Sequence, residues 1–474
     1  MVKSYKLIIF TFLIFALLTG SSSLRSSSSQ LIYQSGEGPK IIKDDNLKAE
    51  RVSKEELNFP TGMAFLGPDD ILVLEKNEGT IKRIVNGTLQ SDPLLDVKVA
   101  HKNERGMLGI AIDVIGLFNH NIGEGENTMQ KQKPDNLYVF LFYTEALSKD
   151  GDDVTDGKEP LGNRLYRYEL VNNKLVNPKL LLDLPTTPTG IHNGGKIIIG
   201  PDNNIYLTIG DLGIFDMTQK PLLVQNFKDG QKANGSGGII RVTQNGKVVD
   251  GGGILGKERP LNLYFSYGMR NSFGIDFDPV TGKLWDTENG PFNGDEINLV
   301  EPGFNSGWGK VQGIWEFTND TISHIFRNIT ELVNFNGKGK YSSPEFVWNT
   351  TIGATDIKFL DSDKLGKIYE NDMFVGDFHT GYLYHIDLND DRTQLSLKEP
   401  LDDKLANSKD ELQEISFGNG FGGITDLEVG PDGYLYMLSL NFGGRNCDPN
   451  LPNEPCVPYD GTNDGTIFRI VPIK

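Results

Sequence analysis

The chain has 474 residues, a formal net charge of −18 and a sequence pI near 4.9. That acidity argues against binding to a phosphate backbone, because no basic stripe is present to release counterions. Hydrophobic residues at 38%, aromatics at 10% and 55 glycines suit a turn-rich all-β globule, and no long Leu/Ala-rich amphipathic helix is evident.

At the N-terminus, Lys3 and Lys6 precede the apolar run Leu7–Leu18, and Gly20 with Ser21–Ser23 supplies small residues for cleavage. This pattern predicts a signal peptide over 1–23 and a secreted or extracytoplasmic protein. An uncleaved membrane anchor is the alternative, since the run falls only a little short of spanning length. No later segment is apolar enough to cross a bilayer. Residues 24–46 read as a flexible polar lead-in. Sequons at Asn86, Asn234, Asn319, Asn328 and Asn349 agree with export and glycosylation. The two cysteines, Cys447 and Cys456, flank a Pro/Asn-rich loop, a spacing that favours a local disulfide over a metal pair.

From residue 47 onward one unit recurs. An apolar strand meets a Pro/Asp/Gly turn, a second apolar strand follows, and a third strand carries a central basic or polar residue. The copies are 62–66, 71–74 and 79–84; 107–112, 137–143 and 164–168; 195–199, 205–209 and 238–242; 274–277, 283–285 and 296–300; 355–359, 372–375 and 381–386; 424–429, 434–438 and 465–470. Repetition at this period predicts a six-bladed β-propeller over 47–474, with four-stranded antiparallel blades. Long loop insertions fall at about 114–136, 145–162 and 311–343. A pair of β-sandwiches is the alternative, but a sandwich has no reason to repeat one three-strand grammar.

In a propeller, the start of each first strand and the end of each second strand share one rim, around an axial mouth. With a turn centred near 201–202, His192 pairs with about Asp211, within Ile191-His192-Asn193-Gly194-Gly195 and Thr208-Ile209-Gly210-Asp211. A histidine beside a carboxylate at a cleft rim is a base with its orienter; a structural histidine at a strand start is the plainer alternative. With a turn near 280, Arg270 reaches the same rim as the Gly290-Pro291 carbonyls. Such carbonyls suit a hard cation such as calcium, and Arg270 there can hold anionic oxygen. The alternative for Arg270 is a rim ion pair with Asp295 or Glu296, which otherwise serve only to satisfy turn amides. No EF-hand loop, Walker loop, zinc spacing or Ser-His-Asp signature is present.

The stretches HNGGKIIIGPDNNIYLTIGD, YGMRNSFGIDFDPVTGKLWDTENGPFNGDEINLV and GITDLEVGPDGYLYML resemble the soluble quinoprotein glucose dehydrogenase and aldose sugar dehydrogenase group, also called the glucose/sorbosone dehydrogenase family. The likeness spans about residues 58–472. It implies a six-bladed propeller that binds pyrroloquinoline quinone (PQQ) and calcium. It makes His192 the base that takes a sugar hydroxyl proton while hydride passes to the quinone, with Asp211 orienting it. It places Arg270 and Asn271 on the cofactor and gives calcium the Gly290 and Pro291 carbonyls. Asn289 stands where the family carries Gln or His. One departure is plain: the family's Arg-x-Arg-Asp run, whose arginines grip the quinone carboxylates, is here Gly423-Ile424-Thr425-Asp426, and its cofactor lysine has no clear match. Arg445 and Lys358 are the candidates to substitute.

The leading reading is thus a secreted, PQQ- and calcium-dependent dehydrogenase of an aldose or related small alcohol, passing electrons to an external acceptor. A non-catalytic propeller that binds a ligand or protein at the same mouth is the second reading, supported by the missing arginines. A calcium-dependent hydrolase is a third; it wants axial carboxylates from several blades, and few appear at the rim positions.

Overall fold

The turns decide where the strands begin. In two copies of Gly-Pro-Asp the same bonds recur: Gly200 N–H donates to the Asn204 carbonyl and Asn203 N–H to Gly200, while Gly430 donates to Tyr434 and Gly433 to Gly430. Asn203 and Gly433 take the positive φ that each tip requires, 61° and 81°. The central basic residue of the third strand has a local purpose as well. It reaches across the second strand to the carboxylate at the turn: Arg83 to Asp70 at 2.6 Å, Arg241 to Asp202 at 2.7 Å, Arg469 to Asp432 at 3.0 Å. These half-exposed pairs contribute ~1 kcal/mol or less each, yet they fix the hairpin tip.

The computed structural model describes residues 40–113, 137–146, 160–213, 221–291, 293–318, 321–323, 331–441 and 464–473. The expected signal peptide, Cys447, Cys456, Arg445, Asn319 and Asn328 lie outside the described residues, as do 114–136 and most of 145–162. Among the described residues the one α-helix is Lys409–Leu412. No described helix is long and apolar enough to cross a membrane.

Each repeat is a sheet whose first three strands follow chain order and pair antiparallel, while the sheets of the third and fourth repeats add parallel strands at their outer edges. The first three strands are Pro60–Gly67, Asp70–Glu75 and Thr80–Val85; Met107–Ile112, Leu137–Glu145 and Gly162–Val171; Ile197–Ile199, Asn204–Ile209 and Gly238–Thr243; Ser272–Phe277, Leu284–Glu288 and Asp295–Val300; Ala354–Phe359, Met373–Asp377 and Leu383–Ile386; Gly423–Val429, Leu435–Asn441 and Asp464–Pro472. The first strands touch their neighbours in chain order, and Gly423–Val429 returns to touch Pro60–Gly67. The sheets therefore stand around a closed ring, and the fold is an all-β propeller. Apolar faces of adjacent sheets pack into the core, as where Trp285 and Ile297 meet Ile357, Met373 and Val375.

Two expectations need correction. The blades are not uniformly four-stranded: one of these sheets has four strands, four have five and one has six, and a three-stranded sheet (Val311–Gln312, Trp315–Thr318, Thr321–Ser323) stands apart. The extra strands come from long connections and the N-terminal segment, which cover outer edges that expose unpaired N–H and C=O groups. The lead-in to residue 46 is also not free at its end. Ile41–Ile42 pairs antiparallel with Asn419 and Gly418, and Leu47–Arg51 pairs with the C-terminal strand.

On the inner strands lies a buried charge network. Lys196 Nζ sits 2.7 Å from both Asp356 and Asp426 and 3.3 Å from Glu428; Lys358 Nζ sits 2.9 Å from Glu428 and 3.5 Å from Asp276. Asp426 also accepts from Met63 N–H at 2.7 Å. Burial pushes the Asp276 carboxyl up to about 6 even with Lys358 beside it. Lys358 is thus committed to this network, and its candidacy as a replacement for the missing arginines is withdrawn.

Candidate active site

His192 enters the mouth on a sharply bent loop. Its own φ is 56°, and Gly194 and Gly195 follow at 61° and 121°. A non-glycine residue in the left-handed region carries strain that its surroundings must hold. Glu104 does so: its Oε2 accepts from His192 N–H at 2.6 Å. Beneath lies Gly210, where a Cβ would stand 2.4 Å from the His192 carbonyl oxygen and 2.6 Å from that of Arg270. Only glycine lets the two loops close over this point.

The His192 ring is paired through Nδ1 with Asp211 Oδ1 at 2.5 Å. The same oxygen accepts from Gly213 N–H at 2.8 Å, and Oδ2 accepts from the Trp308 indole N–H at 2.6 Å. Burial pushes the Asp211 carboxyl up, but His192, the Arg270 charge and the Gly213 amide outweigh it and hold the group below the ordinary carboxylate range. Asp211 N–H in turn donates to the Arg270 carbonyl at 2.7 Å, which locks the histidine and arginine loops together.

Arg270 is held from both ends. Its N–H donates to Glu288 Oε1 at 2.7 Å, its Nη1 to the Asn289 carbonyl at 3.0 Å, and the guanidinium lies 5.5 Å from the centroid of the Trp308 ring. Burial lowers its proton affinity; Asp211, Glu104, Asp295 and Glu288 oppose this, and a guanidinium in such company stays charged. The expected alternative, an ion pair with Asp295 or Glu296, is not formed.

Asn271 accepts from Gly194 N–H through Oδ1 at 3.2 Å, and its carbonyl accepts from Asn289 N–H at 3.0 Å. Asn289 Nδ2 donates to the Ala354 carbonyl at 2.7 Å, so this side chain bridges to the next sheet. At the Gly290-Pro291 corner, Asp295 Oδ1 accepts from Gly290 N–H at 2.8 Å and its Oδ2 from Ile352 and Gly353, also at 2.8 Å. Among the described residues no donor is bonded to the Gly290 or Pro291 carbonyl oxygen. Two uncommitted carbonyls near a buried carboxylate fit a hard, oxygen-seeking cation. Arg270 and the paired His192 fit the reactive end of a quinone and its alcohol. For a tricarboxylate the fit is partial, because Gly423 and Thr425 occupy the expected arginine positions and the Thr425 hydroxyl is turned to the Leu438 carbonyl.

Several neighbours escape a reading by sequence. Asp286 and Glu288 face Asn298 and Glu296 across one hairpin, all four buried. Burial raises the three carboxyls, Glu288 to about 7. The i, i+2 spacing of polar residues in two paired strands is the signal that puts them on one face. Glu104 is reachable by the same rim arithmetic as His192. His379 lies against Gly353, its Nδ1 3.4 Å from the Thr351 carbonyl, and burial lowers its proton affinity while Asp295 raises it. Nothing in the local pattern around Trp308 announces its contact with Asp211, 97 residues away.

Residues 57–446 match the Glucose / Sorbosone dehydrogenase family. The chain is 23% identical over 395 residues to aldose sugar dehydrogenase YliI of Escherichia coli K12, covering 83% of this chain and 90% of that one. It is 28% identical over 303 residues to quinoprotein glucose dehydrogenase B of Acinetobacter calcoaceticus, covering 60% and 56%. In fold it is similar to the PQQ-bound form of aldose sugar dehydrogenase from Streptomyces coelicolor, at 20% identity and a TM-score of 0.58, covering 90% of this chain and 98% of that one.

Proposed function

Because the chain belongs to the glucose/sorbosone dehydrogenase family, we propose that it is a PQQ- and calcium-dependent enzyme that oxidises the CH–OH group of an aldose sugar or related small alcohol. Each of the six ring sheets serves as one propeller blade, and the reaction takes place at their shared mouth. The observation that carries the reading is the His192–Asp211 pair, anchored by further donors and joined through the Arg270 carbonyl to a half-buried guanidinium.

The chemistry follows from that geometry. Asp211 accepts the hydrogen bond from Nδ1–H and so leaves Nε2 of His192 as the proton acceptor. Nε2 takes the substrate hydroxyl proton, and Asp211 steadies the imidazolium that results. Arg270 holds charged oxygen beside it, where a preorganised donor is worth about 3 kcal/mol. Asn271 keeps the arginine and histidine loops in register. Gly290 and Pro291 would give calcium its carbonyl oxygens, and Arg270, Asn271 and Asn289 line the cofactor side. PQQ, when bound, supplies the two-electron acceptor for the hydrogen that leaves carbon, and an external acceptor reoxidises it. Secretion, glycosylation at the sequons and a Cys447–Cys456 disulfide complete the proposal and agree with the N-terminal pattern.

A second reading, a propeller that binds a ligand without turnover, is favoured by one observation: Gly423 and Thr425 bring no charge, and Lys358 is committed elsewhere. An aldose screen of the purified chain, supplied with PQQ and calcium and followed by reduction of an electron-accepting dye, separates the two. The dehydrogenase reading expects sugar-dependent reduction that needs both additives. Reduction that ignores PQQ, or none with any aldose or small alcohol, counts against it.

A further inference from the structure

We infer that Trp308 is a positioning residue for the base, fixing Asp211 through its indole N–H while its ring face carries Arg270. The inference rests on the assignment of His192 as base made above. Trp308 is 2% exposed and donates Nε1–H to Asp211 Oδ2 at 2.6 Å. Asp211 Oδ1 already holds His192 and Gly213. With one oxygen anchored, a carboxylate still turns about its last bond; a donor on the second oxygen defines its plane, and with it the plane of the imidazole. The same indole lies 5.5 Å from the Arg270 guanidinium, a cation–π distance. One side chain thereby sets Asp211, and through it the His192 base, relative to the Arg270 guanidinium.

The backbone holds Trp308 there without help from a ligand. Its N–H donates to the Gly268 carbonyl at 2.7 Å, and its carbonyl accepts from Asn226 Nδ2 at 3.1 Å. Asn226 and Asn305 exchange amide bonds at 2.9 and 2.8 Å, and Gly307 N–H donates to Asn305 Oδ1 at 3.0 Å. Gly268 permits this, since a Cβ there would stand 2.0 Å from Asn305 Oδ1. The 304–309 loop is thus bolted to 224–226 and 267–269 before any substrate arrives. An indole whose ring fills space and whose N–H is unused would need no such alignment with a buried carboxylate.

The test reads an NMR resonance on the full chain without cofactor, and turnover on the same chain supplied with PQQ and calcium. The Nδ1 proton of His192, in its short bond to Asp211, gives a downfield NMR resonance that is identified by its loss in His192→Ala. Trp308→Phe keeps an aromatic face for Arg270 but leaves Asp211 Oδ2 buried without this donor. The resonance is expected to shift or vanish into exchange, and turnover to fall roughly ten- to a hundredfold with KM little changed, the scale of one hydrogen bond to a charged group. A folded Trp308→Phe protein whose resonance is unmoved overturns the inference. If Trp308→Phe does not fold, Asp211→Asn provides the second readout. One of the four tryptophan indole N–H resonances must then move, and none moving overturns the inference equally. Retained turnover in His192→Ala would instead overturn the base assignment, so the two readings fail separately.

Discussion

Replacing His192 with alanine is expected to cut turnover by about 10²–10⁴-fold while leaving PQQ affinity almost unchanged. The magnitude is that of a positioned base, and the structure gives reasons to expect the upper part of the range. The imidazole is held by a 2.5 Å bond to a carboxylate that has two further donors, and its backbone is pinned by Glu104. Such a group has little freedom to lose on reaching the transition state. Alanine removes the proton acceptor and leaves Asp211 as a buried carboxylate with one partner fewer. Some stability is lost, but the loop bonds made by backbone atoms survive. Dye reduction measured beside PQQ binding separates the two effects. Turnover close to wild type would show that the proton leaves by another route.

The second large effect is expected at Arg270. Arg270→Ala should lower turnover by about 10²–10³-fold, as does the loss of one preorganised donor to developing charge. The fold should persist, because the Arg270 N–H to Glu288 and the Arg270 carbonyl to Asp211 are backbone bonds that alanine keeps. The guanidinium also offsets Asp211, Glu104, Asp295 and Glu288. Without it Asp211 and Glu288 are expected to bind protons more readily, so Asp211 becomes a poorer partner for the imidazolium at acid pH. Arg270→Lys keeps the charge but not the planar fork, and should recover only part of the activity. Steady-state kinetics with circular dichroism provides the check. Unfolding of Arg270→Ala, or unchanged kcat, would contradict the role drawn for it.

Much of this site was legible from turn-centred strand pairing. Gly-Pro-Asp tips fix the register of a hairpin, so positions as far apart as His192 and Asp211 are placed by counting outward from one turn. The same count brought Arg270 to the 289–291 corner, and its Nη1 meets Asn289 there. What stayed hidden depends on contacts between distant segments. Leu47–Arg51 joins the last sheet, and Phe346–Trp348 joins Asp295–Val300 after a long connection; no local pattern announces either pairing. Trp308 follows Phe304–Asn305, which joins the sheet of Asn204–Ile209 only after a long excursion of the chain, and so reaches Asp211 from 97 residues away. Lys358 read as a spare cation because sequence lists charges without their partners, and only the folded ring shows Asp276 and Glu428 beside it. The buried hairpin carboxylates were hidden for the opposite reason: acidic residues in a strand are expected to face water.

A dehydrogenase of this kind has to bind PQQ at this mouth without the expected arginine pair, and titration of the purified, metal-free chain with PQQ tests that most directly. Absorbance and calorimetry, with and without calcium, read the outcome. Tight, stoichiometric, calcium-dependent binding is the predicted result, with Arg270, Asn271 and the Gly290-Pro291 carbonyls at its centre. No binding at micromolar PQQ in the presence of calcium would contradict it, and the mouth would then belong to a ligand of another kind.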